Sequence, residues 1–383
     1  ISYILFSFGF IKSVTTGLTS QHDGRKDYES LIKNLYQIFL IAIIISSLII
    51  IFRNPIIHYS LHLFNGSQEV KSNSEIYLSY RVWSIPAIFL RDILIGYYIG
   101  VRKIKIAMMI SIFVNLLNIF LDYYLVIIQG YKIEGVAIAS LIAEYSIIIF
   151  IINILKNEKI FLNTKLSVSS IVNWPSLKRK ISINFDFFIR SLILMTCFAY
   201  FMNIGARYGD VVLAANAILL NFFFIFSFGI DGFAHAAETL IGNSYGKKDI
   251  KSLKASLFST GKFSFILMII FLIFFLLFEK AIVLFITDIA LVQTTVFDFS
   301  IWLYLIFFLS TSAFWLDGVF IGLMKSKLMR NIMIFSGLIF FSFVFYLGDY
   351  NNLGLWISFL IFFFTRSILL TFNIIQYIKK SSI

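Results

Sequence analysis

Gly96-Tyr-Tyr-Ile-Gly100-Val-Arg-Lys-Ile-Lys105 and Gly318-Val-Phe-Ile-Gly322-Leu-Met-Lys-Ser-Lys327 are two copies of one block. Each carries two glycines one helical turn apart, followed by a basic cluster. The copies lie 222 positions apart, and the same interval separates Gly24-Arg-Lys-Asp27 from Gly246-Lys-Lys-Asp249. A third pair, Phe6-Ser-Phe-Gly9 and Phe226-Ser-Phe-Gly229, recurs at nearly that interval. Glycine-anchored blocks returning at one shift imply an internal duplication.

The blocks are embedded in a chain too apolar for water. Of 383 residues, 60% are hydrophobic and 14% charged, and the mean hydropathy is +0.91. Soluble domains carry about 45–50% apolar and about 25% charged residues. A water-soluble enzyme, a nucleic-acid binder and a disordered scaffold are therefore excluded. The single cysteine, Cys197, provides neither a disulfide framework nor a thiolate metal site. Four scattered histidines offer little to a haem or zinc centre, and no metal or cofactor is expected.

A crossing helix needs roughly 20 mainly apolar residues. Windows of that kind fall near residues 4–18, 35–52, 82–100, 104–128 and 133–155. After a polar stretch they resume near 187–205, 211–242, 263–278, 302–322, 332–347 and 353–375. Helices are required, because lipid offers no partner to a backbone N–H or C=O and the period-2 pattern of barrel strands is missing. Alternate loops hold the bases: Arg25/Lys26/Lys33, Arg102/Lys103/Lys105, Lys156 to Lys180, Lys247/Lys248/Lys251/Lys254, Lys325/Lys327/Arg330 and Lys379/Lys380. That asymmetry accounts for the net charge of +12 and places those loops, with the C-terminus, in the cytoplasm.

The longest hydrophilic connection, residues 157–180 with Pro175, divides the halves. We expect an N-terminal lobe over 1–155, a cytoplasmic linker over 156–180 and a C-terminal lobe over 181–383. Both anchor loops are cytoplasmic, so an even number of spans separates them, and repeats of equal orientation are a transporter layout. Counted back by 222, the start of the second half at Ile181 falls before Ile1 by about one span and the start of the next. The fold class is thus an all-α polytopic membrane protein of two pseudo-symmetric six-helix bundles, with about eleven of twelve helices present. It is expected to act as a monomer.

Within the spans, Asn118 and Asp122 stand at i, i+4 on one helical face. Their oxygens can hold a proton or a small cation, which relieves the cost of a carboxylate in oil. The positions 222 further on are Phe340 and Val344, so this site has no counterpart in the second half. Asp231, His235 and Glu238 also share a face, as a polar stripe or gate rather than a metal cage. Arg91 and Asp92 are adjacent mid-span charges pointing about 100° apart, which suggests separate partners. Asp92 and Glu144 are further candidates for the pathway. Any single one of the 46 phenylalanines is packing by default. Gly242-Asn-Ser-Tyr-Gly246-Lys-Lys248 lacks the spacing and final hydroxyl of a phosphate loop, so an ion gradient must drive the work.

Thr15-Thr-Gly-Leu-Thr-Ser-Gln21, Asn118-Ile-Phe-Leu-Asp122, Ala139-Ser-Leu-Ile-Ala-Glu-Tyr145, Ala206-Arg-Tyr-Gly-Asp-Val-Val-Leu-Ala-Ala-Asn216 and Asp231-Gly-Phe-Ala-His-Ala-Ala-Glu238 resemble the multidrug and toxic compound extrusion (MATE) transporters, in particular their DinF-like branch. The resemblance implies two six-helix lobes that export organic cations and other amphipathic compounds against inward H⁺ or Na⁺. It also implies Ser140 as the hydroxyl that joins Asn118 and Asp122 in the cation site, and it includes Arg190, Asp231 and Glu238. Arg190 and Arg366 pair with an intramembrane carboxylate or touch substrate. Two alternatives differ in class. A lipid-linked saccharide flippase would use Arg91, Arg190 and Arg366 on a pyrophosphate. An intramembrane enzyme would need a catalytic constellation that the chain does not offer.

Overall fold

The computed structural model describes residues 9–62, 67–158, 161 and 167–381. Among them every regular element is helical. The chain divides into two compact units, Ile1–Asn184 and Phe185–Ile383. The first contains α1 (Phe10–Arg25), α2 (Tyr28–Ile51), α3 (Arg53–His62), α4 (Gln68–Arg81), α5 (Ile85–Gly100), α6 (Ile104–Asp122), α7 (Ile133–Tyr145), α8 (Ile147–Asn157) and the single turn α9 (Val168–Ile171). Helix α10 (Trp174–Arg207) begins in the first unit and ends in the second. The second unit continues with α11 (Asp210–Gly246), α12 (Ile250–Ile286), α13 (Ala290–Gly322), α14 (Ser326–Tyr346) and α15 (Asn351–Ser381).

Ten stretches of the described residues are helical, long and apolar enough to cross a membrane. They match the expected spans from the second onward. The start of the first, with Phe6–Phe8 of the third repeat pair, lies outside the described residues, as do Lys159 and Lys165 of the linker. Several helices outrun their apolar windows: α12 extends the window at 263–278 to 37 residues. The polar ends are stabilised by capping, which hydropathy does not record. The span expected over 133–155 passes a turn at Ser146, whose Oγ donates to the Ala143 carbonyl at 2.6 Å and competes with the helical ladder.

The linker is less of a loop than its polarity suggests. Helix α10 starts at Trp174, with Pro175 in its first turn, where a missing N–H costs nothing. Gln37 of α2 ties this region down. Its Nε2 donates to the Ile171 carbonyl at 2.7 Å, and its Oε1 accepts from Lys180 Nζ at 2.5 Å and from Ser176 Oγ at 3.0 Å. The boundary between compact units consequently falls at Asn184, inside a helix, a few residues beyond the expected 180.

The duplication is repeated in three dimensions, contact for contact within each unit. A Cβ built on Gly96 would stand 2.6 Å from the Lys12 carbonyl oxygen, and one on Gly318 would stand 2.1 Å from that of Ala234. Likewise a Cβ on Gly100 would meet the Thr16 oxygen at 3.0 Å, and one on Gly322 the Glu238 oxygen at 2.6 Å. Lys12 and Ala234, like Thr16 and Glu238, are again 222 apart. In each unit two small residues one turn apart let the helix pairs α1/α5 and α11/α13 approach to backbone contact, the usual basis of tight packing in lipid.

The helix ends obey the same interval. Asp27 caps α2 by accepting from Ser30 N at 3.1 Å, and Asp249 caps α12 by accepting from Ser252 N at 3.0 Å. The residues before them, Lys26 and Lys248, are left-handed with φ of 56° and 59°. Arg102 and Met324, which follow the glycine pairs, are left-handed too, at 62° and 54°. Hydrophobic packing then fills the second unit around Phe226, stacked on Phe307 at 4.2 Å, with Phe223, Phe359 and Phe363.

The close approach predicts a steep contrast between glycines. Gly318→Val should cost about 3 kcal/mol or more, since its methyls would have to displace a backbone carbonyl. Gly232→Ala, on the same tier of sequence but with nothing within 4 Å, should be neutral or stabilising by about 0.5–1 kcal/mol. Thermal melts of the two detergent-purified variants check this.

Candidate functional site: charges inside the units

Helix α6 carries the sequence-predicted cation site. Asn118 donates from Nδ2 to Ser140 Oγ of α7 at 3.3 Å, so the hydroxyl implied by resemblance does meet the amide. Asp122 is one turn further on, at the last α-helical residue, where the chain passes into the π-helical segment Tyr123–Ile128. Such a change of winding is common at functional positions. Asn118 and Asp122 are half-buried, whereas Ile119, Phe120 and Tyr123 are 64%, 62% and 58% exposed. The polar pair is therefore turned away from the apolar outer stripe. Asp122 Oδ1 is enclosed and has no hydrogen-bond partner among the described residues. A carboxylate oxygen so placed is an open coordination or protonation position.

A second cluster joins α5 to α7. Arg91 Nη1 donates to both oxygens of Glu144, at 2.5 and 2.7 Å, while Asp92 Oδ1 lies 3.7 Å from Arg91 Nη2. Arg91 thus has a partner of its own in Glu144, as expected, and the departure from separate partners is that it also comes within salt-bridge reach of Asp92. Their Cβ atoms do diverge, but the guanidinium fork is long enough to face a carboxylate on its own helix and one on the next. One cation thus answers two anions at salt-bridge distance.

In the second unit the proportion is reversed. Asp317 Oδ2 accepts from Arg366 Nη2 at 2.7 Å and also from Arg190 Nη2, so that two guanidinium groups share a single oxygen. Arg366 is only 1% exposed. Both arginines therefore pair with a carboxylate, as one of their two sequence readings held. The carboxylate itself, Asp317, escaped that reading, because it is a lone acid in the apolar run Phe314-Trp-Leu-Asp317-Gly318. The requirement that Arg190 and Arg366 find a counter-charge was the signal that could have found it.

Arg366 is the repeat counterpart of Glu144, 222 positions away, and Asp317 lies one turn beyond the counterpart of Arg91. The same two helices of each unit are bridged by an ion pair, with cation and anion exchanged. Of the remaining candidates, His235 Nδ1 lies 3.1 Å from Glu238 Oε2 on α11, and Glu238 is fully buried. Asp231 is half-buried one turn before His235. No group of three or more metal-binding side chains occurs among the described residues. Sequence reading also passed over the role of Asn216, whose amide exchanges hydrogen bonds with Asn352 at 2.8 and 3.2 Å and accepts from Trp356 Nε1 at 2.9 Å.

Fold and buried charges together define a polytopic membrane transporter, and comparison with known proteins gives its family. The chain belongs to the MatE family, whose profile matches residues 1–124 and 187–346. It is 30% identical over 369 residues to DNA damage-inducible protein F of Escherichia coli (strain K12), covering 96% of this chain and 80% of that one. It superposes on an outward-facing multidrug resistance MATE family transporter of the MOP superfamily with a TM-score of 0.88 at 16% identity, over 100% of this chain and 86% of the other. A MOP superfamily transporter from Pyrococcus furiosus Vc1 (DSM3638) gives 0.88 at 17% identity, with the same coverage. These structural likenesses attest the two-bundle fold.

The reversed polarity makes a prediction for the first unit. Arg91→Glu or Glu144→Arg alone puts like charges together and should lose about 3–5 kcal/mol, read as loss of folded protein. The double exchange should recover most of the melting temperature, because the second unit holds its pair in that polarity.

Proposed function

We propose that this transporter is an antiporter, exporting organic cations or other amphipathic compounds in exchange for inward H⁺ by alternating access. The observation that carries the reading is the enclosed, unpartnered Oδ1 of Asp122 beside the Asn118–Ser140 hydrogen bond. A carboxylate in that position binds either a proton or a positively charged group, and the two compete. Competition for one acid is sufficient for exchange: each ligand favours a different arrangement of the helices, and the coupling is the difference in its affinities. Family membership and the likeness to the Escherichia coli protein support the transporter class. Na⁺ is the other coupling ion compatible with two oxygens and an amide. In this reading Glu144, Asp92, Asp231 and Glu238 line or gate the path, the protein lies in a bacterial inner membrane, and its basic loops and C-terminus face the cytoplasm.

The flippase alternative draws less support at Arg91, which already forks onto Glu144 and has Asp92 at 3.7 Å.

Efflux of a fluorescent organic cation from vesicles, under an imposed pH gradient or an imposed sodium gradient, tests the proposal. The pH gradient should drive transport. Asp122→Asn should reduce it at least about tenfold, within the range of a lost coupling of 1–3 kcal/mol, without loss of folded protein. Full activity in that variant would remove Asp122 from the mechanism.

A further inference from the structure

We infer that the Arg190–Asp317–Arg366 cluster is an anion-accepting site, taking the carboxylate, phosphate or sulfonate group of an amphipathic ligand. The first argument is charge. Two guanidinium groups, which stay protonated in proteins, meet one carboxylate in the interior of a helical unit. A surplus cation inside a membrane protein is costly and marks a pathway or a ligand position.

The second argument is unfilled valence. Arg366 Nη1 and Arg190 Nε are both enclosed, and neither has an acceptor among the described residues. Asp317 receives one bond from each arginine, both at Oδ2, which leaves these two nitrogens over. The corresponding pair of the first unit is satisfied differently: there Arg91 forks onto both oxygens of Glu144 and has Asp92 at 3.7 Å.

The surroundings fit an amphiphile. The rings of Phe314, Phe362 and Phe363 lie 5.5–5.8 Å from Arg366 Cζ. Their faces temper the positive charge but supply no lone pair to a guanidinium N–H. Cys197 is a further titratable neighbour of Arg366, and as a thiol it adds no compensating negative charge at neutral pH. Of the three charged side chains Arg190 is the most open, at 15% against 9% for Asp317 and 1% for Arg366. A ligand would therefore enter at Arg190 and offer an oxygen to each guanidinium, the fork geometry that such groups satisfy best.

The inference is independent of the reading of Asp122, since it can be tested by binding without any ion gradient. The full chain is placed in phosphatidylcholine nanodiscs and titrated with octyl phosphate, and in parallel with octyltrimethylammonium. Octyl phosphate should bind the more tightly. Arg190→Gln should weaken it at least about tenfold, the effect of one lost charge-assisted hydrogen bond. Asp317→Asn should strengthen it, because both arginines are then released from the carboxylate they share. A purely bracing role for the cluster predicts neither change. Phosphatidylglycerol in the discs that competes with octyl phosphate identifies a lipid headgroup as the source of the anion. Its failure to compete identifies a soluble amphiphile, and both outcomes presuppose the site. Equal binding of the two probes, or unchanged binding in Arg190→Gln, overturns the inference. If Asp317→Asn does not fold, Arg190→Gln decides alone.

Discussion

A charge placed in hydrocarbon can be answered only by another part of the same molecule or by something the molecule binds. That constraint organises both units of this transporter. Where the answer is complete, as in the fork of Arg91 onto Glu144, the charge serves as a brace between helices. Where it is incomplete, as at the free oxygen of Asp122 or the spare nitrogens of Arg190 and Arg366, the structure holds an unmet demand. The desolvation cost of such groups is several kcal/mol each, more than a surface side chain could return.

The helices had to be close-packed before any of this could matter. Lipid tails give no hydrophobic reward for bringing two apolar helices together, so association rests on contact and on small residues. Gly96, Gly100, Gly318 and Gly322 supply it, each set against a backbone carbonyl of a neighbouring helix. The left-handed residues Lys26, Arg102, Lys248 and Met324 then turn the chain sharply at the helix ends. None of these four is a glycine, and each turn is closed by local backbone hydrogen bonds, such as Asp27 N to the His22 carbonyl and Lys103 N to the Tyr98 carbonyl.

Much of this was legible in the sequence, for identifiable reasons. Membrane spans are long, apolar and uniform, so the windows at 104–128 and 332–347 mark their helices to within a few residues at most ends. The duplication was legible because glycine and capping aspartate are fixed by backbone geometry and tolerate little substitution, which keeps Gly100 and Gly322, or Asp27 and Asp249, recognisable. The buried pairs were less legible. Periodicity places Arg91 and Asp92 on different sides of a helix, but it carries no information on how far a guanidinium reaches. Asp317 was invisible because a single acid among Phe, Trp and Leu makes no pattern, and its partners are 127 and 49 residues away. Helix ends such as the start of α10 were missed for the opposite reason: Gln37, Ser176 and Lys180 stabilise a polar segment that hydropathy reads as loop.

The exchange of Glu144 for Arg366 bears on how such a duplication can specialise. An ion pair between two helices contributes much the same brace whichever helix holds the cation, so polarity is free to change if both partners change. What is not free is the surplus. In the first unit the third charge is a carboxylate, Asp92, and in the second it is an arginine, Arg190. Starting from one architecture, the two halves have thereby come to hold different third charges beside the bracing pair, and a second guanidinium, unlike a second carboxylate, suits an oxyanion.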